Sequence, residues 1–395
     1  MKRFGVNSAL VAAVFGAAAL SACSGNSSSS PGIPTTKTTP LPVLVPGSQF
    51  TYAGSFSETI AYASPSPQQP NSHGEYATTD VEKVSTAASG APGPIEVVRR
   101  LRYRVKHAPV SGLQPQQRTI DSYESSTLAN GSQTIDLFQT TTTTTGIDQS
   151  ANRQRDNGPY TYKGSDTTKY AAAHVLQVFP LVPGSTQEPL ARTVIAQFVA
   201  QNAGGSLFAQ RDTTTNVTDT GAYTESGTIA PGVTTSVNAY ANGTAHLNNV
   251  GTSPLIEKIG LPAPGPSNAY QIPVTRTIGG VTHTSLAQDW YPGNAAPPSP
   301  LASTVQTVVG NSPLPSACHV KVQAPNVQEV DSSSTSLDVA HGSYVVGKTQ
   351  TFFSNGTAVC RITSSTTNNY DVETGLPIGT TADSFVESLV AESIP

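Results

Sequence analysis

Phe50-Thr51-Tyr52-Ala53-Gly54-Ser55-Phe56-Ser57-Glu58-Thr59-Ile60-Ala61-Tyr62 sets the period of this chain. Phe50, Tyr52, Phe56, Ile60 and Tyr62 share one parity, while the opposite parity is Thr, Ser and Ala. Successive side chains of a strand point to opposite faces, so the pattern buries one face and wets the other. A helix would spread these aromatics around its axis.

The same logic extends along the chain. Thr is abundant, with an unbroken run from Thr140 to Thr145. Its branched Cβ suits a pleated surface, and its hydroxyl keeps an outer face polar without formal charge. Asn130-Gly131, Asn242-Gly243 and Asn355-Gly356 each lie between β-compatible runs, and Asn-Gly favours the positive φ angles of a tight hairpin turn. Thr374-Gly375, after Tyr370-Asp371-Val372-Glu373, reads as another tight connection. Few segments suggest helix. Residues 189–204 place Leu190, Val194 and Phe198 at helical spacing but alternate nearly as well, and Phe385 and Leu389 alternate around Glu387, which favours strand there. The expected fold is all-β with few or no helices: one large antiparallel sheet built as a curved sheet, a half-barrel or a sandwich. Pro/Gly-rich connections fall at 64–70, 90–94, 261–266 and 292–300, and a subdivision of the β-rich region would fall near 261–266.

Of 395 residues only 12% are charged, against roughly 25% in ordinary soluble domains, which excludes a charge-rich disordered chain or a coiled coil. A net charge of −4 supplies no general basic field for nucleic acid.

At the amino end, Lys2 and Arg3 precede an apolar run from Ala9 to Leu20. That run is too short for a permanent span of a bilayer core of about 30 Å, yet it suits a signal-peptide core. Leu20-Ser21-Ala22-Cys23 closes it and resembles the lipobox of bacterial lipoproteins. The resemblance implies diacylglycerol on the Cys23 thiol, cleavage before Cys23 and acylation (palmitate) of the new amino terminus. Ser24 stands where Asp would imply inner-membrane retention, so the resemblance implies transfer to the outer membrane, facing either the periplasm or the cell surface. The alternative is a plain secretory signal with Cys23 incidental. On this division, residues 1–22 are the signal, 23–46 a lipidated Cys with a Ser/Thr/Pro tether, and 47–395 the β-rich part. Residues 24–40 hold hardly an apolar side chain and cannot offset the entropy of ordering.

With Cys23 lipidated, Cys318 and Cys360 remain. In an oxidising compartment such a pair is most simply a disulfide; a buried thiol pair, or a metal site with His319, stays open. No nucleophile elbow, zinc-helix motif, phosphate loop or dinucleotide fingerprint is present, and the seven histidines show no ligand-like pairing, so no cofactor, metal or catalytic residue is assigned. Asp80/Glu82 and Asp371/Glu373 each share a strand face about 7 Å apart, compatible with a glycosidase pair and equally with a wet strand face. Trp290-Tyr291-Pro292 could line an aromatic subsite or anchor a core.

The sharpest charge pattern is Arg99-Arg100-Leu101-Arg102-Tyr103-Arg104-Val105-Lys106. On a strand, Arg100, Arg102, Arg104 and Lys106 face one way. They could bind anions such as lipid headgroups, lipopolysaccharide phosphates or acidic glycans. They could also pair across strands with Asp80, Glu82, Asp121 or Glu124, which is the reading that charge pairing favours. The functional expectation is a membrane-anchored envelope lipoprotein with a non-enzymatic structural or ligand-binding role. Its partners would be membrane lipid through Cys23 and an envelope lipid, glycan or protein. A lipid-handling module is the first alternative, since Tyr370–Gly375 and its flanking strands resemble half-barrel carriers of bacterial lipoproteins. A secreted hydrolase on a β scaffold is the second.

Overall fold

In a computed structural model, the chain is described over residues 44–66, 70–108, 113–148, 160–187, 192–201, 207–217, 223–229, 234–238, 246–250, 255–259, 263–264, 270–278, 280–289, 302–338, 343–370 and 377–395. Every regular element among these residues is a strand. The first six are β1 (Gln49–Tyr62), β2 (Ser72–Thr86), β3 (Ile95–His107), β4 (Leu113–Ala129), β5 (Ser132–Asp148) and β6 (Tyr160–Phe179). Next come β7 (Thr186–Gln187), β8 (Arg192–Gln201), β9 (Leu207–Val217), β10 (Tyr223–Ile229), β11 (Thr234–Asn238), β12 (His246–Val250) and β13 (Leu255–Ile259). Then follow β14 (Ala263–Pro264), β15 (Tyr270–Ile278), β16 (Val281–Asp289) and β17 (Ala302–Asn311). The last four are β18 (Gln328–Asp338), β19 (Ser343–Ser354), β20 (Thr357–Tyr370) and β21 (Pro377–Ser393).

Nineteen of these strands form one sheet, and β11 with β12 make a separate hairpin. All the pairings are antiparallel. From β1 one arm runs through β2, β3, β4, β5, β6, β8, β9, β10, β13 and β15 to β16. The other arm runs from β1 through β21, β20, β19, β18 and β17 to β7. The first strand is thus seated beside the last. The ladder passes from β13 to β15, and Ala263–Pro264, in the stretch where the sequence suggests a subdivision, pairs with β15.

The sheet curves until its arms meet at one end. There β7, joined to β6 through residues 180–185, pairs with β17, and Gln306 Nε2 donates to Gln177 Oε1 at 3.1 Å. Phe179 meets Phe353 edge-on at 5.6 Å, over a small core of Leu181, Val308 and Val330. Among the described residues β6 and β17 share no ladder, so the sheet is curved but not closed.

Two expected turns are present. Asn130-Gly131 joins β4 to β5 with φ of 51° and 79°, and Asn355-Gly356 joins β19 to β20 with φ of 50° and 79°. Positive φ at both central residues is what a twist-matched two-residue hairpin requires. Asn242-Gly243 and Thr374-Gly375 lie outside the described residues. The two ambiguous segments are both strands, β8 and β21, because each finds ladder partners on both sides.

The main core lies on the inner face of β1 and its neighbours: Phe50, Tyr52, Val84, Val97, Phe352, Val359, Cys360 and Leu389. Residues 312–327, between β17 and β18, fold across it and pack Leu314, Val320, Val322 and Val327 against it. This segment is pinned by His319 N donating to Ser388 Oγ (2.8 Å), Lys321 N donating to the Leu389 carbonyl (3.0 Å) and Ser354 Oγ donating to the Pro325 carbonyl (2.6 Å). Cys318 is bonded to the fully buried Cys360, with Cα atoms 5.9 Å apart, so neither thiol is free to join His319 as a metal ligand.

Candidate functional site

Alternation on β2 and β3 divides their charges between two faces. On β2 the inner row is Tyr76, Thr78, Asp80, Glu82 and Val84; on β3 it is Val97, Arg99, Leu101 and Tyr103. Glu82 lies opposite Arg99 and Asp80 opposite Leu101. Arg99 therefore meets both carboxylates. Its Nε donates to Asp80 Oδ2 at 2.8 Å, its Nη2 also bonds Asp80, and Glu82 Oε2 is 3.6 Å from Nε. From the other arm, Glu387 Oε1 accepts from Arg99 Nη2 at 2.6 Å and from Arg361 Nη1 at 2.7 Å. Arg361 Nη2 reaches Glu82 Oε2 at 3.4 Å, and its guanidinium lies 4.9 Å above the Tyr52 ring. Tyr52 in turn donates its hydroxyl to the Ala358 carbonyl at 3.0 Å.

Three carboxylates thus share two guanidiniums across the inner face. Asp80 and Glu387 are each 1% exposed, so charge there survives only when paired. Burial raises Glu387 above the usual carboxylate range, opposed by Arg99 and Arg361. Asp80 and Glu82 are engaged as counter-ions and are not available as an acid and base pair. The glycosidase reading of that pair falls here, for lack of a free carboxylate.

A second inner carboxylate pair stands higher on the sheet. Glu58 on β1 is directly opposite Asp383 on β21, and Ser365 Oγ donates to Asp383 Oδ2 at 3.5 Å. Burial, then Asp383, pushes Glu58 up to about 8, while burial lifts Asp383 to about 6 against the Ser365 hydrogen bond. Glu124 on β4 is also on the inner face, and burial, then Glu82, pushes it up to about 8. Sequence reasoning passed over Glu58, Asp383, Arg361 and Glu387. A signal existed: Glu58 shares parity with Phe56 and Ile60, and Glu387 with Phe385 and Leu389.

The outer face of β3 is different. Arg100, Arg102, Arg104 and Lys106 are all exposed, and among the described residues none makes an ion pair. Their cross-strand neighbours are uncharged: Val81 and Thr119 beside Arg100, Thr79 and Gln117 beside Arg102, Ala77 beside Arg104. This corrects the expectation that carboxylates balance the ladder. Asp80, Glu82 and Glu124 sit on the opposite face, and Asp121, diagonal to Arg100 and opposite Val98, makes no ion pair with it. Glu96 and Asp121 flank the lower end of the ladder, with Glu96 accepting from Tyr123 (3.5 Å) and Ser85 (3.4 Å). Glu75 flanks the upper end and is 3.2 Å from His73 Nε2.

Asp371, Glu373, the rest of the Tyr370–Gly375 motif beyond Tyr370, Trp290-Tyr291-Pro292 and Cys23 lie outside the described residues. Among the described residues no three His, Cys, Asp or Glu side chains gather as a metal site, and no helix is long and apolar enough to cross a membrane.

No family model and no curated protein matches the chain. Among solved structures, similarity is found to the outer membrane protein opdK of Pseudomonas aeruginosa, at 6% identity and a TM-score of 0.22, covering 87% of this chain and 99% of that one. A second is OccAB4 of Acinetobacter baumannii, at 9% identity and a TM-score of 0.19, covering 91% of this chain and 100% of that one. Superpositions at these scores assign neither fold nor function.

Proposed function

We propose that the protein is a lipid-anchored bacterial envelope protein, held in the outer membrane through acylated Cys23, with a non-enzymatic structural or ligand-binding role. The cysteine pairing carries this reading. The chain has three cysteines, and the bond between Cys318 and Cys360 uses two of them. Cys23 is left alone at the end of Leu20-Ser21-Ala22-Cys23. A bond of this kind belongs to an oxidising, exported compartment. Several acyl chains on one cysteine suit durable attachment, because each buried CH₂ contributes about 0.8 kcal/mol and a single chain holds only marginally.

The inner face supports a binding or scaffolding role over lipid carriage or hydrolysis. Where a carrier would offer an apolar trough, β1, β2, β3, β20 and β21 present Glu58, Asp80, Arg99, Arg361 and Glu387, already joined in salt links or facing another carboxylate. An acyl chain placed there would meet paired charges, and would strip the remaining water from Arg99 and Arg361 without replacing it.

Metabolic labelling with an alkyne palmitate, followed by detergent cloud-point extraction, tests the anchor. The expected result is label on the wild type, none on Cys23→Ser, and partition of the wild type into the detergent phase. Label that persists without Cys23, or a wild type that stays in the aqueous phase, overturns the reading.

A further inference from the structure

We propose that the outer face of β3 is a docking surface for anionic phospholipid headgroups, and that it lays the sheet against the leaflet that holds the anchor. This deepens the lipid-anchored reading and rests on it. Arg100, Arg102 and Arg104 are exposed, point the same way and have no carboxylate opposite them on β2 or β4, and exposed Lys106 follows at a bulge where Glu75 lies opposite its neighbour His107. Alternate residues of one strand repeat at about 6.7 Å, so the three arginines form a row about 13 Å long, with Lys106 beyond them at the bulge. At its lower end outward-facing Lys83, opposite Val98, stands among the outward carboxylates Asp121 and Glu96, and Glu75 stands at the upper end. Between those ends the outward neighbours of the arginines on β2 and β4, Ala77, Thr79, Val81, Gln117 and Thr119, are uncharged and leave the arginines free to meet a plane.

The row is also in the right place. Gln49, which opens β1, is in register with Lys83 of β2, and Lys83 with Val98 of β3. Arg100 is therefore two strands across and two residues up from the point where the tether enters the sheet, a separation of roughly 12 Å. Lys106 is roughly 28 Å from the same point. Leu44 already packs against the core, and the 21 residues from Cys23 to Val43 have a coil-like reach of roughly 23–27 Å. A lipid on Cys23 can thus sit in the bilayer while the arginines touch its surface. The chemistry that fits is a layer of phosphodiesters. A row of dispersed guanidiniums takes phosphates bidentately without needing a pocket, and each such cation favours an anionic surface roughly five-fold.

The test uses the purified acylated protein in vesicles of phosphatidylcholine alone, or of phosphatidylcholine mixed with phosphatidylglycerol. Arginines are modified with phenylglyoxal and lysines with an acetylating reagent, and the rates are read residue by residue by mass spectrometry. Arg100, Arg102, Arg104 and Lys106 should react several-fold more slowly in the anionic vesicles, exposed Lys321 should react equally in both, and high salt should erase the difference. In Arg100→Ser/Arg102→Ser/Arg104→Ser, association weakens on the order of 100-fold, so Lys106 should lose its protection. Equal rates in the two vesicle types overturn the docking surface, while flotation with the neutral vesicles reports the anchor independently. Protection by an added sulfated polysaccharide, with none from anionic vesicles, also overturns it and assigns the row to glycan.

Discussion

Arg99 holds together parts of the chain that lie almost three hundred residues apart, since it bonds both Asp80 and Glu387. Replacing it with Met keeps most of the packed volume but strands buried carboxylates. Arg99→Met should cost about 3–5 kcal/mol in urea unfolding at pH 8. The loss should shrink at pH 5, where Glu387, already raised by burial, takes up a proton more readily; a loss independent of pH would mean that the pairing is not electrostatic. Two other inner groups bend the stability curve from opposite sides. Glu58 holds its proton up to about 8 in the folded chain, against 4.5 for an ordinary Glu. The folded state then carries more protons than the unfolded one between those values, so stability is full below the lower value and is lost as pH rises towards the upper. Glu58→Gln should flatten the fall in Tm between pH 5 and pH 8. His174 acts in reverse: fully buried, with neither ring nitrogen partnered, it is pushed from 6.5 down to about 4, by burial first and then Arg192. Stability is then lost as pH falls through that window. Its ring stacks on Tyr170 at 4.5 Å, which a phenyl group can imitate. His174→Phe should therefore flatten the acid limb of the same Tm profile. A variant that tracks the wild type shows that the group does not titrate there.

Among elements, glycine separates two kinds of constraint. Gly131 has φ of 79° with nothing within 4 Å of an added Cβ, so Gly131→Ala should cost only the backbone term, about 1 kcal/mol. Gly54 lies where β1 and β21 touch: a Cβ there would come within 1.9 Å of the Val386 carbonyl oxygen. Backbone cannot yield as a side-chain tip can, so Gly54→Ala should cost about 3 kcal/mol or more. Thermal melts of the two variants, run together, check the difference in size. The hairpins were legible in the sequence because Asn130-Gly131 and Asn355-Gly356 carry their own turn chemistry. The alternation of β1 and β3 was legible because parity is local. What could not be read was which face of β2 shares a side with which face of β3. Residues 87–94 join those strands through a connection longer than a two-residue turn, so no turn type fixes the register. Asp80 and Glu82 therefore looked like partners for Arg100 and Arg102, when they belong with Arg99. The inner network escaped for a related reason: Arg361 and Glu387 meet Arg99 only because β21 returns to β1, and nothing local announces that pairing.

At the scale of the molecule, the segment 312–327 is fastened by one covalent bond and a few hydrogen bonds to a core it helps to cover. The bond closes the loop from Cys318 to Cys360, which is worth about 4 kcal/mol in the chain-entropy account. Cys318→Ala/Cys360→Ala should lose about that much stability, and trypsin should cut after Lys321 many-fold faster than in the oxidised protein. Unchanged cleavage would show that packing alone holds the segment. The seating of the first strand against the last has an effect of another kind. Residues from Gln49 to Tyr62 find one whole hydrogen-bonding edge in residues 379–393. A chain that emerges amino end first can pair its opening strand with β2, but the other edge of that strand stays open until the closing strand has followed. A nonsense codon anywhere upstream of Pro377 would release a product with a bare edge, open to capture by whatever strand comes by.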